Sequence, residues 1–366
     1  MTNNKDRNWI VNGECEASSP RTTRGAGAPL RRPLLAGIDI GGTKCAVSLG
    51  QTNGDAVEIL DKRRFATPAT PESTLTRFVA ELEGLLASQR AAEADAQAGA
   101  QLATVGISCG GPLDSRRGLI LSPPNLPGWD AVDVVTPFRA RFGVPAAVQN
   151  DANACALAEW WWGAGQGCNS LIFLTFGTGM GAGLVLDGRI YTGASDMAGE
   201  VGHVRLAEDG PLGYGKRGSF EGFCSGGGIA RLAQQRALEN IQAGHAPAFC
   251  PTLADLDSVT AATVGQAAQI GDPLALEIFE TVGHYLGRGL AMLVDVLNPE
   301  RIIVGSIYKR QQALLEPVAL RVLREEAHPH ALAACEVVPA GLGERVGDYA
   351  GLAVAMTSKS SNVGTS

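Results

Sequence analysis

The chain has 366 residues, room for two lobes with ordinary cores, and its 45% apolar and 18% charged content with 47 glycines excludes a disordered or fibrous protein. A formal net charge of −7 supplies no basic field for nucleic acid. Eight cysteines without a CxxC pair fit reduced thiols in the cytoplasm, and no apolar run has transmembrane length.

The first 33 residues are polar, carry Arg21, Arg24, Arg31 and Arg32 among Gly and Pro, and lack the apolar core of a secretory signal. They are expected to be a disordered tail. Residues 34–40 read as a buried strand that breaks at Gly41-Gly42, with 46–49 as its hairpin partner. Residues 71–97 have helical spacing of Ala, Leu and Glu. A second buried strand over 102–107 ends in Gly110-Gly111-Pro112. Residues 145–149 predict a strand that stops at Asn150-Asp151, and 152–160 a helix. The strand 171–176 enters a segment, 177–183, with glycine at every second position, and 184–186 resumes as strand. A helix over 283–297, a strand over 301–304 and a last helix over 347–356 complete the pass, before a Ser-rich tail. Strand, glycine turn, strand therefore occurs twice, which points to two similar lobes.

Four constellations carry chemistry. In Asp39-Ile40-Gly41-Gly42-Thr43-Lys44, two glycines after a strand let backbone N–H groups approach a phosphate. Thr43 adds a hydroxyl, and Asp39 could hold Mg²⁺ through water. An ordinary hairpin turn is the alternative. The segment Gly177-Thr178-Gly179-Met180-Gly181-Ala182 contains the dinucleotide fingerprint, but a strand follows instead of a helix. It reads as a second phosphate-contacting hairpin or as a tight turn without a ligand. Gln149-Asn150-Asp151 stands at a strand-to-helix junction, where a helix N-terminus favours an ionised carboxylate. Asp151 there is a general base for a sugar hydroxyl or an N-cap, and the two roles are compatible. Glu200, His203 and Glu221 supply donors and acceptors that suit sugar hydroxyls, without the spacing of a metal site. The GxSxG-like run 106–110 lacks the helix that a hydrolase elbow requires.

The order of these pieces resembles the ROK family of bacterial sugar kinases and sugar-responsive repressors. DIGGT at Asp39 looks like its first phosphate motif, and Gly106 to Pro112 like its sugar loop, which includes Gly110. Asn125-Leu126-Pro127-Gly128-Trp129, Asn150-Asp151-Ala152-Asn153-Ala154 and Gly177-Thr178-Gly179-x-Gly181 are similar to three further family segments. Glu200-x-Gly202-His203 and Gly215-Lys216-Arg217-Gly218-x-x-Glu221 add two sugar-side motifs. The resemblance implies an actin-like, ribonuclease-H-like α/β fold with two lobes and a central cleft. It implies one lobe over 34–149, completed by the helix 347–357, another over 150–346, and a frayed tail over 358–366. It implies ATP-dependent phosphorylation of a hexose, with O6 the default, Mg²⁺ as cofactor and a homodimer as the common assembly. Asp151 would be the base, with Gly110, Asn125, Asn150, Glu200, His203 and Glu221 on the sugar. Asp39, Gly41, Gly42, Thr43, Lys44, Gly177, Thr178, Gly179, Gly305 and Ser306 would serve the nucleotide.

Two departures stand out. Many members bind zinc through a CxCGxxGC run, whose cysteine positions are here Leu212, Tyr214 and Ser219. A structural zinc is not expected, and packing by Tyr214 and Phe220 would have to hold the loop. After the strand 301–304, where the family often has several glycines, only Gly305 stands before Ser306-Ile307-Tyr308. Tyr308 is a candidate to stack on adenine. Two other functions compete. A non-catalytic sugar-binding member fits the altered Gly305 region, and a repressor would need a helix-turn-helix that the first 33 residues do not display.

Overall fold

A computed structural model describes residues 33–54, 56–92 and 100–360, all within the compact unit that starts at Arg32. The expected N-terminal tail lies outside the described residues apart from Pro33.

The first sheet is built on β1 (Leu34–Ile40), which is buried along its length except at Asp39. A two-glycine turn returns the chain as antiparallel β2 (Lys44–Asn53), and β3 (Ala56–Ala66) adds an outer strand. After α1 (Pro71–Ala92), β4 (Leu102–Cys109) pairs parallel to β1, and β5 (Ala146–Asn150) parallel to β4. The order is β3-β2-β1-β4-β5. Sequence reasoning missed β3, because Asp61, Lys62, Arg63 and Arg64 break its apolar pattern. Such charges are what an edge strand carries. A small three-stranded sheet, Leu113–Asp114, Leu119–Ile120 and Val132–Asp133, follows β4 and packs Leu113, Ile120 and Trp129 into the same core.

The second sheet repeats the plan. From α2 (Asp151–Trp162) the chain enters β6 (Leu171–Leu174), turns into antiparallel β7 (Ala182–Leu186), and continues to β8 (Arg189–Ile190). Helices α3 (Gly226–Gln242), α4 (Ala261–Gln269) and α5 (Pro273–Leu297) precede β9 (Arg301–Val304), which pairs parallel to β6. Helix α6 (Gln312–Glu326) leads to β10 (Glu336–Pro339), parallel to β9. The order is β8-β7-β6-β9-β10. Three antiparallel strands followed by two parallel ones occur twice, the actin-like arrangement expected.

Helix α5 starts ten residues earlier than the sequence reading placed it. Asp272 caps it by accepting from Ala275 N–H at 2.9 Å, and Pro273 occupies the first turn. The last helix, α7 (Val346–Ser360), runs into the expected tail, and 361–366 lie outside the described residues. It seats on the first sheet where Gly37 and Gly106 leave room. A Cβ on Gly37 would stand 2.8 Å from the Leu352 nitrogen, and one on Gly106 would enter the backbone of Gly351 and Ala355. Among the described residues no helix is long and apolar enough to cross a membrane, and all seven cysteines are free.

Candidate active site

The junction of β5 and α2 sets the chemistry. Asn150, extended at φ −57° and ψ 145°, is the N-cap, and its side chain accepts from Ala152 N–H at 2.9 Å. Asp151 is the first helical residue, and its Oδ1 accepts from the same N–H at 2.8 Å. Asn150 thus does the capping, which leaves Asp151 open to the cleft. The surrounding protein nevertheless removes much of its water, and this raises its pKa above the ordinary carboxylate range. The Ala152 N–H opposes the rise, and the Glu200 carboxylate adds to it.

A cleft of about 680 Å³ brings the expected groups together. Gly42 and Thr43 line it from the β1–β2 turn, Asn125 from the segment inserted after β4, and Asn150 and Asp151 from the strand–helix junction. Gly177, Thr178 and Gly179 come from the β6–β7 turn, and Glu200 and Glu221 from beyond β8. Glycine is required at 42, because a Cβ there would meet the Asn125 carbonyl. Asp196 and Thr175 also line the cleft and were not foreseen. Thr175 Oγ1 accepts from Gly181 N–H at 3.0 Å and pins the second turn. Glu221 Oε2 accepts from Met180 N–H at 3.2 Å, tying this carboxylate to the same turn.

The other predicted residues stand around this cleft rather than in its wall. Asp39 sits at the end of β1, where burial pushes its carboxyl up to about 6. Lys62 opposes that rise and Asp151 reinforces it. The Gly41 carbonyl accepts from the Thr67 hydroxyl at 2.6 Å, while Lys44 begins β2 and is exposed. A Cβ on Gly110 would lie 3.8 Å from Asn125 Oδ1. His203 Nε2 is 3.9 Å from Glu200 Oε2, and its ring meets Tyr214 edge-on with centroids 4.8 Å apart.

A second cavity of about 880 Å³ adjoins the first, sharing Gly177 and Thr178. Gly226 and Gly227 at the start of α3, Gln266 and Gln269 of α4, Ser306 and Gln311 line it. The Ser225-Gly226-Gly227-Gly228 run was a legible signal, since glycines before a helix offer N–H groups to an anion. Gly305 N–H continues the pairing to Leu174 O at 3.0 Å. Ser306 holds φ +50° and ψ −109°, a conformation natural only to glycine. The expectation for Tyr308 is overturned. Its ring is fully buried in the core of the second sheet, with its hydroxyl 3.3 Å from Glu316 Oε1, so it does not reach the cavity.

The positions of the zinc cysteines do not fit zinc. Leu212 and Tyr214 are exposed, and Ser219 is fully buried, so the set offers no thiolate. Ser219 instead accepts from Gly222 N–H at 3.1 Å and donates to Lys216 O at 3.2 Å. Lys216 Nζ donates to His203 O at 2.7 Å. Hydrogen bonds, with Phe220 buried beneath, hold this loop. Tyr214, expected to pack inside, is exposed and touches His203. The two rejected motifs stay rejected: Ser108 is buried within β4, and β7 follows the glycine run.

Comparison with known proteins agrees with this geometry. A model described as the ROK family matches residues 35–356. A glucokinase of Streptomyces coelicolor is 30% identical over 321 residues, 86% of this chain and 95% of its own length. The N-acetylglucosamine repressor of Escherichia coli O157:H7 is 31% identical over 225 residues, 60% of this chain and 52% of its own. The solved ROK family glucokinase from Streptomyces griseus, in complex with glucose and AMPPNP, aligns with a TM-score of 0.66 at 31% identity, covering 88% of this chain and 99% of that one. Motifs, duplicated sheets and a family match over nearly the whole described length lead to one conclusion: the chain belongs to the ROK family.

Proposed function

We propose that this protein is an ATP-dependent sugar kinase that phosphorylates a hydroxyl of a hexose or hexose derivative, with O6 of glucose as the default. The observation that carries the reading is Asp151, open to a cleft that both glycine turns also line. A sugar hydroxyl between Asn125, Glu200 and Asp151 would give its proton to Asp151. Its oxygen would then bond to the γ-phosphorus while the bond to the β-phosphate oxygen breaks. A raised pKa makes Asp151 a stronger base, at the cost of ionisation at low pH.

The nucleotide phosphates would rest on the turns at 41–43 and 177–179, and the base in the second cavity. Among the described residues no cluster of three or more His, Cys, Asp and Glu forms a metal cage. That fits Mg²⁺ held by phosphates and water, with Asp39 as the nearby carboxylate. When bound, the ion would neutralise phosphate charge. One observation favours a second reading, a sugar-binding protein without turnover: Ser306 occupies a glycine conformation at the edge of the nucleotide cavity. Both aspartates and both turns favour the kinase.

The test is ADP release from ATP·Mg²⁺ over a panel of hexoses, amino sugars and N-acetylhexosamines. Asp151→Asn is expected to lower kcat about 10²–10⁴-fold while leaving both KM values within about threefold. Turnover retained in that variant removes Asp151 as the base. No turnover of any sugar by folded protein transfers the case to the binding reading.

A further inference from the structure

The loop after β8 holds a contact that no motif foreshadows. Asp196 lines the cleft beside Ala198, Gly199 and Glu200, at φ +58°. Both of its carboxylate oxygens are taken by Ser115. The Ser115 N–H donates to Oδ2 at 2.7 Å, and the Ser115 hydroxyl donates to Oδ1 at 2.9 Å. Ser115 directly follows the strand Leu113–Asp114 of the small sheet, whose later turn carries Asn125. That sheet shares the core of the first large sheet, whereas Asp196 follows the second. The two residues are 81 positions apart, and their bonds tie the small sheet to the loop through which Asp196 lines the cleft.

We propose that Ser115 and Asp196 form a clasp that fixes the spacing of Asn125 and Glu200, and so sets the affinity for the sugar. The proposal rests on the kinase reading and specifies its sugar side. A sugar held by Asn125 from one wall and Glu200 from the other is bound well only when the walls keep one separation. A carboxylate receiving two hydrogen bonds in a fork provides that restraint, because the charge strengthens both bonds. Asp tolerates the left-handed backbone better than most residues, which suits it to this position. The second cavity is lined wholly by residues from 177 onward, all on the Asp196 side of the clasp. Only the turn at 41–43 would reach the nucleotide from the other side, so the KM for ATP should respond far less than that for the sugar. Ser115 and Asp196 are positioning residues and touch no reacting atom.

Three variants test the clasp. Asp196→Gly keeps the backbone conformation and removes both bonds. Asp196→Asn keeps both, its carbonyl accepting from the N–H and its amide donating to the hydroxyl oxygen. Ser115→Ala removes only the hydroxyl bond. Sugar KM is expected to rise about tenfold in Asp196→Gly and about threefold in Ser115→Ala, with Asp196→Asn within about twofold of wild type. The KM for ATP and the kcat at saturation should stay within about twofold in all three. An unchanged sugar KM in Asp196→Gly, or an equal rise in the KM for ATP, overturns the proposal. Hydrogen exchange reads the clasp without turnover. The Ser115 amide is expected to exchange at least about tenfold faster in Asp196→Gly, and an unchanged rate overturns the clasp whatever the activity. A wild-type protein that phosphorylates no sugar would sink the kinase reading instead, with the clasp then judged by exchange alone.

Discussion

Asp39 and Asp151 both carry raised pKa values beside one cleft, and burial is the largest cause for each. For Asp39 the shift, from 3.8 to about 6, makes a statement about stability. Between those values the folded chain binds a proton that the unfolded chain has released. Stability therefore falls as pH rises from about 4 to about 6, by about 3 kcal/mol for this group alone. Asp39→Asn should raise the Tm at about pH 7.5 in metal-free buffer, and the gain should vanish below about pH 4. Thermal denaturation across that range checks it; an equal gain at every pH would mean that titration is not the cause. Ser306 stores strain of another kind, since its φ of +50° with ψ of −109° suits only glycine. Ser306→Gly is expected to stabilise the fold by about 1 kcal/mol, the strain relief exceeding the added chain entropy. Urea unfolding measures it, and destabilisation would show that the serine makes a compensating bond.

At the scale of elements, α2 joins the cleft, which Asp151 lines, to the turn after β10. Its buried Glu159 accepts from Ala164 N–H at 2.7 Å, Gly341 N–H at 3.0 Å and Leu342 N–H at 2.9 Å. One carboxylate thus fastens the helix that begins at Asp151 to the turn that leads into α7. Three donors need acceptors, and an amide can offer only one oxygen. Glu159→Gln is expected to cost about 2–3 kcal/mol, through a buried N–H left unpaired. Urea unfolding of the variant checks this, and a loss below about 0.5 kcal/mol would mean that the turn relaxes into water. The helix itself was legible, because Asn150-Asp151 before an alanine-rich run is a start signal. The purpose of Glu159 was not legible, since two of its three partners lie more than 180 residues away.

For the whole molecule, the return of α7 to the first sheet depends on two glycines in neighbouring strands. A Cβ at Gly106 would overlap backbone atoms of Gly351 and Ala355, which cannot swing aside as a side chain can. Gly106→Ala should therefore lift α7 from the sheet and destabilise the protein by about 3 kcal/mol. A normal Tm in this variant would contradict so close a seat. The same packing explains why Leu352, Ala353, Val354 and Ala355 are fully buried although they stand near the end of the chain.

The sequence by itself determined the family, the repeated strand–turn–strand plan and the residue types at the cleft. Each of these depends on neighbours a few positions apart. Two glycines after an apolar strand make a tight turn, and Asn-Asp before an alanine-rich run starts a helix. Tertiary structure alone decided the rest. It buried Tyr308 in the core, bonded the Ser219 hydroxyl to Lys216 and Gly222, brought the charged β3 to the sheet edge and joined Ser115 to Asp196. These outcomes turn on which surfaces meet after the chain has folded, and for the clasp the partners are 81 residues apart, a distance over which local propensity carries no information.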